Sequence, residues 1–219
     1  DLSVFPKDWH ISLGPIRLAL KPSANNQLGV FPEQCDSWQW ITKKIRNAGR
    51  PLRILNAFAY TGAATLMSSA AARDVEVCHV DGAKTSVTWA KQNALLSGLE
   101  SKSIRWIVDD VLKFLAREIK RGRTYDAFIL DPPAFGRGAK TEWSLERDLP
   151  LLLDCVDQLL SPHPCFVVLS CHAPHMIATD LAHQLEKLPA FAGKQAQTLN
   201  LTIASKQGHA LPLGICARI

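Results

Sequence analysis

Asp131-Pro132-Pro133-Ala134-Phe135-Gly136-Arg137-Gly138 is the stretch of this 219-residue chain whose residue types most constrain chemistry. The two prolines fix φ and have no amide proton to donate, so the chain turns rigidly there. An aspartate at the head of such a turn is presented at a strand end, where it can accept hydrogen bonds from the amino group or ring nitrogen of a flat base. The Pro132 carbonyl offers a second acceptor. Phe135 can stack on such a base, worth roughly 1–3 kcal/mol, and Arg137 and Lys140 can reach phosphate. Asp131 is therefore a candidate catalytic residue, and Pro132, Pro133, Phe135 and Arg137 are candidate substrate-binding residues. The plainer alternative is a proline-rich loop with Phe135 in the core.

A second reactive group follows a later apolar run, in Val168-Leu169-Ser170-Cys171-His172-Ala173-Pro174-His175. A Cys171 thiolate can add to C6 of a cytosine and make C5 nucleophilic. His172 or His175 can assist proton transfer. Against this stands the ordinary fate of a free cysteine, an inert place in the core.

Upstream, three strand ends carry groups suited to a nucleoside-containing ligand. Asn56-Ala57-Phe58-Ala59-Tyr60-Thr61-Gly62 follows the first strand, and Gly62 permits a tight turn with close backbone approach. Thr61 and Thr65 can cap or bond near the following helix. Asp81 lies nineteen positions after Gly62, at the end of the second strand, followed by Gly82. A carboxylate there can accept from both hydroxyls of a ribose, or simply cap the next helix. Asp109 and Asp110, followed by Val111, end the third strand and can accept from an adenine amine or serve as caps. Asn93 can hold the glycine loop by side-chain hydrogen bonds. Gly62 is the only glycine between Leu52 and Gly82, too little bare backbone for a pyrophosphate. S-adenosylmethionine (SAM) carries no phosphate and needs room only for a methionine tail and an adenosine.

These groups need a scaffold that brings strand ends together. Continuous apolar runs predict strands over 52–58, 75–80, 104–108, 125–130 and 165–170, and helical periodicity fills 63–72, 83–97, 111–121, 149–160 and 175–188. Repeated βα units of this kind imply a parallel, doubly wound sheet with helices on both faces. Two final strands, 195–204 and 209–217, have no room for a helix between them and predict an antiparallel hairpin. The predicted class is α/β, a Rossmann-like seven-stranded sheet. Residues 1–48 form an N-terminal extension with a hairpin over 9–20, a polar turn at 23–26 and a helix over 36–48. Residues 49–219 form the main domain.

Composition sets the bounds. Hydrophobic residues make up 47% and charged residues 21% of the chain, an ordinary globular balance. No apolar run approaches the roughly 20 residues that span a bilayer, so no membrane role is expected. The net charge of +5 is compatible with a polyanionic partner. Among the six cysteines no pair has C-x-x-C spacing, so neither a disulfide framework nor a metal site is expected, and a reducing compartment fits best, the cytoplasm or an organelle matrix. The first residue is Asp1 rather than methionine, which points to part of a longer chain. The oligomeric state is left open, a homodimer included.

Together these residues resemble the catalytic part of the bacterial large-subunit rRNA cytosine-5 methyltransferase family. The matching pieces are Gly29-Val30-Phe31-Pro32-Glu33-Gln34, Asn56-Ala57-Phe58-Ala59-Tyr60-Thr61-Gly62, Val80-Asp81-Gly82, Asp110-Val111, Asp131-Pro132-Pro133-Ala134-Phe135 and Leu169-Ser170-Cys171. The resemblance implies SAM as methyl donor and RNA, in particular rRNA, as substrate. It implies that Gln34, Asn56, Phe58, Tyr60, Thr61, Gly62, Asp81, Gly82, Asp110 and Val111 surround the cofactor and that Cys171 is the nucleophile. Two departures stand out: Asn56 replaces an acidic residue usual at that strand end, and the family's Ser-Cys-Ser becomes Ser170-Cys171-His172. The aspartate turn also resembles that of exocyclic-amine methyltransferases, which need no cysteine. A binding protein that keeps the fold without catalysis is the reading from a different class.

Overall fold

A computed structural model describes residues 5–6, 8–23, 27–137 and 142–219, the side chain of Arg137 excepted. The N-terminal segment contributes a hairpin, β1 (His10–Leu13) and β2 (Ile16–Ala19), and a helix, α1 (Cys35–Asn47). Alternation then begins with β3 (Leu52–Ala57), α2 (Ala63–Ala71), β4 (Val75–Asp81), α3 (Lys84–Leu96), β5 (Ile104–Val108), α4 (Val111–Lys120) and β6 (Ala127–Leu130). A short hairpin, β7 (Phe135–Arg137) and β8 (Glu142–Ser144), precedes α5 (Leu145–Leu159), β9 (Phe166–Cys171), α6 (Ala178–Glu186), β10 (Gln197–Ala204) and β11 (Ala210–Arg218).

The main sheet has seven strands in the order β10-β11-β9-β6-β3-β4-β5. The strands from β9 to β5 are parallel, while β11 runs antiparallel to both β9 and β10. β3 pairs with β4 on one side and β6 on the other, so the chain winds away in both directions from this pair. The crevice beyond the carboxyl ends of β3 and β6 is the place where such sheets bind ligands.

Alternating residues of each strand feed opposite faces. Leu55, Ala57, Phe128, Leu130, Val167 and Leu169 pack under α4, α5 and α6 with Phe114, Leu152 and Leu181. Ile54, Val77, Ile129 and Val168 pack on the other face against Ile41 and Ile45 of α1. A third cluster joins Ile16 and Leu18 of the hairpin to Trp38, Leu66 and Met67. No helix among the described residues is long and apolar enough to cross a membrane.

Two local expectations are corrected. α5 begins at Leu145, not 149, because Ser144 and Asp148 organise its first turn: the Ser144 amide donates to Asp148 Oδ2 at 2.9 Å. Pro150 therefore lies inside the helix rather than before it. The β7–β8 hairpin, where only a loop was expected, pairs Phe135 with Ser144 and Gly136 with Trp143. Of the expected polar turn at 23–26, residues 24–26 lie outside the described residues.

The N-terminal segment is tied to the main sheet through α3. Asn93, fully buried, accepts from the Ala19 amide at 2.9 Å and donates to the Thr61 carbonyl at 2.9 Å. Trp89 Nε1 donates to the Ala19 carbonyl at 3.1 Å. Gly29 holds φ 96° against the Trp89 indole, where a Cβ would sit 2.2 Å from a ring carbon. Asn93→Ala leaves the buried Thr61 carbonyl and the part-buried Ala19 amide without their partner, so it is expected to cost about 2–3 kcal/mol. Urea unfolding measures this; a shift below about 0.5 kcal/mol, the range of ordinary surface changes, would show that Asn93 does not join the two segments.

Candidate active site

The loop that leaves β3 turns sharply. Phe58 and Tyr60 have φ 56° and 48°, left-handed values for residues with side chains, and Gly62 follows at φ 90°. Side-chain-bearing residues held in such regions cost about 1–3 kcal/mol each and persist only where neighbours over-determine them. Here the Ala59 amide donates to the Val80 carbonyl at 3.1 Å and the Tyr60 amide to Asp81 Oδ2 at 2.8 Å. Asn93 holds the Thr61 carbonyl, as its type and position suggested, and Thr61 Oγ1 donates to the Gly29 carbonyl at 2.6 Å. Neither Thr61 nor Thr65 caps α2, whose N-cap is Gly62. Thr65 instead joins a buried chain: Asn56 Nδ2 donates to Thr65 Oγ1 at 2.9 Å, and Thr65 Oγ1 lies 2.9 Å from His79 Nδ1. Burial holds the His79 imidazole neutral, its pKa pushed down to about 3.

One cleft opens over this loop. Gln34, Asn56, Phe58, Tyr60, Thr61, Gly62 and Asp131 line it, seven residues singled out in the sequence. Phe31, Ser37 and Ser170 line it as well and were not anticipated. Ser170 Oγ donates to Gln34 Oε1 at 3.3 Å, and Gln34 Nε2 donates to Asp131 Oδ2 at 3.3 Å. Only the alternation of Val168 and Ser170 along β9, opposite in face to Leu169, foreshadows the serine. Tyr60 Oη is buried with no hydrogen-bond partner among the described residues. Burial raises its pKa.

Asp131 meets a second partner in His172. His172 Nε2 lies 3.2 Å from Asp131 Oδ1, an ion-pair contact, and His172 Nδ1 lies 2.8 Å from the Leu213 carbonyl of β11. The contact with Asp131 outweighs partial burial and lifts the His172 pKa to about 9. His175, the other candidate proton carrier, pairs instead with Glu146 at 2.8 Å on the surface.

The remaining candidates sit around the cleft rather than in it. Asp81 stands behind the loop, with Oδ1 accepting from the Ala83 amide at 2.8 Å and Oδ2 from Tyr60. Burial raises its pKa against those two bonds. Gly82 is exposed beside it. Asp110 is the N-cap of α4, accepting from the Lys113 amide at 3.0 Å, and Val111 is buried in the core. Cys171 is 1% exposed and shares its face with Leu169, against α6. Burial raises its thiol pKa, and the Ala173 amide, 3.4 Å from Sγ, works the other way. Pro132 is buried and Pro133 exposed. Phe135 is not a core residue: it is 77% exposed. Trp143 supports this arm, its Nε1 donating to the Pro133 carbonyl at 2.7 Å and its ring 4.9 Å from that of Phe58. The Arg137 side chain and Lys140 lie outside the described residues.

Known proteins resemble this chain in sequence and in fold. Residues 2–203 match the model of the family described as S-adenosylmethionine-dependent methyltransferase. The chain is 30% identical to ribosomal RNA large subunit methyltransferase I of Erwinia tasmaniensis over 182 residues, 83% of this chain but 43% of that protein. It is 33% identical to ribosomal RNA large subunit methyltransferase K/L of Shewanella baltica over 127 residues, 56% of this chain and 17% of that protein. The crystal structure of a SAM-dependent methyltransferase from Agrobacterium tumefaciens superposes with a TM-score of 0.91 at 36% identity, covering 98% of this chain and 70% of that one. The chain thus spans less than half the length of the curated relatives it matches.

The Asp131–His172 pair makes stability depend on pH. A histidine whose folded pKa is raised from 6.5 to about 9 contributes stability fully present below pH 6.5 and lost as pH rises through about 9. Both side chains are partly exposed, so about 1 kcal/mol is expected. His172→Gln should lower the urea midpoint at pH 6 and leave it unchanged at pH 10.

Proposed function

The chain belongs to the S-adenosylmethionine-dependent methyltransferase family, and from that premise we propose that it methylates a base in RNA, at C5 of a cytosine in large-subunit ribosomal RNA. The observation that carries the reading is Asp131, lining the cofactor cleft at the end of β6 with an exposed Phe135 four residues on. A base stacked on Phe135 can bring its amino edge to Asp131. The names of the relatives, ribosomal RNA methyltransferases, support RNA as the substrate class, and cytoplasm is the setting this reading implies.

Gln34, Asn56, Phe58, Tyr60, Thr61 and Gly62 would hold the methionine end of the cofactor. The unpartnered Tyr60 Oη fits a ligand with polar groups, since buried polar atoms are ordinarily satisfied. Asp81 and Gly82 would meet the ribose, and Asp110 and Val111 the adenine. Each Asp81 oxygen accepts one amide and keeps a lone pair for a ribose hydroxyl. The bound cofactor supplies an electrophilic sulfonium methyl. On the protein side, Asp131 orients the base and Cys171 adds to C6, forming a carbon–sulfur bond that makes C5 nucleophilic. After methylation, loss of the C5 proton to a base expels the thiolate. Ser170-Cys171 ends β9 beside Asp131, because β9 and β6 pair in register at Leu169 and Leu130.

One observation favours a second reading. Cys171 is 1% exposed and does not line the cleft, whereas Asp131 does. In that reading Asp131 and the Pro132 carbonyl hold an exocyclic amine for direct attack on the methyl.

Asp81→Ala should weaken binding of S-adenosylhomocysteine at least about tenfold, or 1.4 kcal/mol, by calorimetry; unchanged affinity would remove Asp81 from the ribose site. Methyl incorporation from labelled SAM into deproteinised large-subunit rRNA decides the target. Cys171→Ala should lower it at least about a thousandfold if the thiol is the nucleophile. Undiminished transfer by Cys171→Ala with severe loss in Asp131→Ala would select the amine reading.

A further inference from the structure

β11 extends past the end of β9. Ile215 pairs with Cys171, so Gly214 and Leu213 overhang the strand end and lie against residue 172. The Leu213 carbonyl can only accept, so His172 Nδ1, 2.8 Å away, carries a proton. That leaves Nε2 at 3.2 Å from Asp131 Oδ1, an ion-pair contact to a buried oxygen that has no hydrogen-bond partner among the described residues. A ring protonated only at Nδ1 would set a lone pair against the carboxylate, whereas a proton on Nε2 makes the contact attractive. Gly214 makes the approach feasible: a Cβ there would sit 2.8 Å from His172 Nδ1 and 2.7 Å from the Cys171 carbonyl oxygen. On its other side Asp131 receives Gln34 Nε2 on Oδ2. A carboxylate has no proton to donate, so what it offers the cleft are acceptor lone pairs, and the two flanking nitrogens fix where they point.

We propose that His172 is a positioning residue for Asp131, clamped from β11 so that the acceptor oxygens of Asp131 stay aimed at the substrate and the site admits a base edge that bears an amino group. The inference rests on the base-methylation reading and narrows it. Cytosine presents an amino group where uracil presents a carbonyl oxygen, and an acceptor-only carboxylate repels the latter. A site built to pair a polar edge rejects an analogue that leaves that pairing unmade far more strongly than an apolar pocket rejects a missing methylene.

The titratable groups around His172 are Asp131 from the turn after β6, Glu33 from the 32–34 turn and the Cys171 thiol of the preceding residue. Both carboxylates favour the charged ring. Above about pH 9 the ring loses its second proton and the clamp on Asp131 is released.

The test uses the full chain, tritiated SAM and two transcripts of large-subunit rRNA that differ by cytosine or uracil at the mapped methylation position. His172→Ser is expected to lower kcat about 10–100-fold while S-adenosylhomocysteine affinity stays unchanged. It should also abolish the basic limb of the kcat profile near pH 9 and narrow the preference for cytosine. Gly214→Ala, which displaces the ring without removing it, should act in the same direction. NMR titration of the His172 imidazole should give a pKa near 9 in the wild type, returning toward 6.5 in Asp131→Asn. Wild-type kcat, pH profile and base preference in His172→Ser would overturn the inference alone. Failure of the wild type to methylate any RNA would overturn the reading beneath it, and the inference with it.

Discussion

The left-handed turn after β3 is the constraint to which the rest of the molecule answers. Phe58 at φ 56° and Tyr60 at φ 48° are conformations that side chains resist. Their energy is offset by hydrogen bonds drawn from three directions: Val80 and Asp81 at the end of β4, Asn93 on α3, and the Gly29 carbonyl of the N-terminal segment. Each of those partners is itself fixed by burial or by a strand. The loop is therefore an assembled object: remove any one side and the backbone that faces the cleft loses a restraint. This explains why the N-terminal segment shares a core with α2 rather than lying loosely beside the sheet.

Asp81 shows how one residue can organise a scaffold and keep capacity for a ligand. As a bare sequence feature it could cap the next helix or bind a ribose, and the two seemed to compete. Its two oxygens accept from the Ala83 and Tyr60 amides, so it organises the loop and the start of α3 together. A carboxylate has lone pairs to spare after that. In the proposed site the cofactor and the scaffold would share this residue, so a substitution there would act on both.

The chemistry end is built from two neighbouring strand ends. β6 presents Asp131, β9 presents Ser170, Cys171 and His172, and β11 closes the far side through Leu213. Period-2 alternation sends Ser170 into the cleft and Cys171 toward α6. Trp143 then ties the turn after β6 to the loop after β3, bonding Pro133 and packing on Phe58.

Local pattern carried the scaffold. Runs such as Phe166 to Leu169 are apolar on both faces, which only a sheet covered by helices on both sides can satisfy, so the α/β class and strand succession were legible. Position relative to strand ends also singled out Thr61, Gly62 and Asp131, and the family resemblance added Gln34, Asn56, Phe58 and Tyr60; all of these line one cleft. What stayed hidden depends on partners distant along the chain. The β7–β8 hairpin is too short to leave a periodic signal, and Pro150 disguised the start of α5 because the compensating Asp148–Ser144 bond is a matter of geometry. Phe135 as a core residue and as an exposed platform have the same local sequence; only packing separates them. The His172–Asp131 pair joins residues 41 positions apart and needs Leu213, a further 41 positions on, and its neighbour Gly214 to set the ring. Composition and periodicity report which face a residue occupies, whereas a hydrogen bond needs two atoms within about 3 Å, and that closeness is decided by how the strands pair.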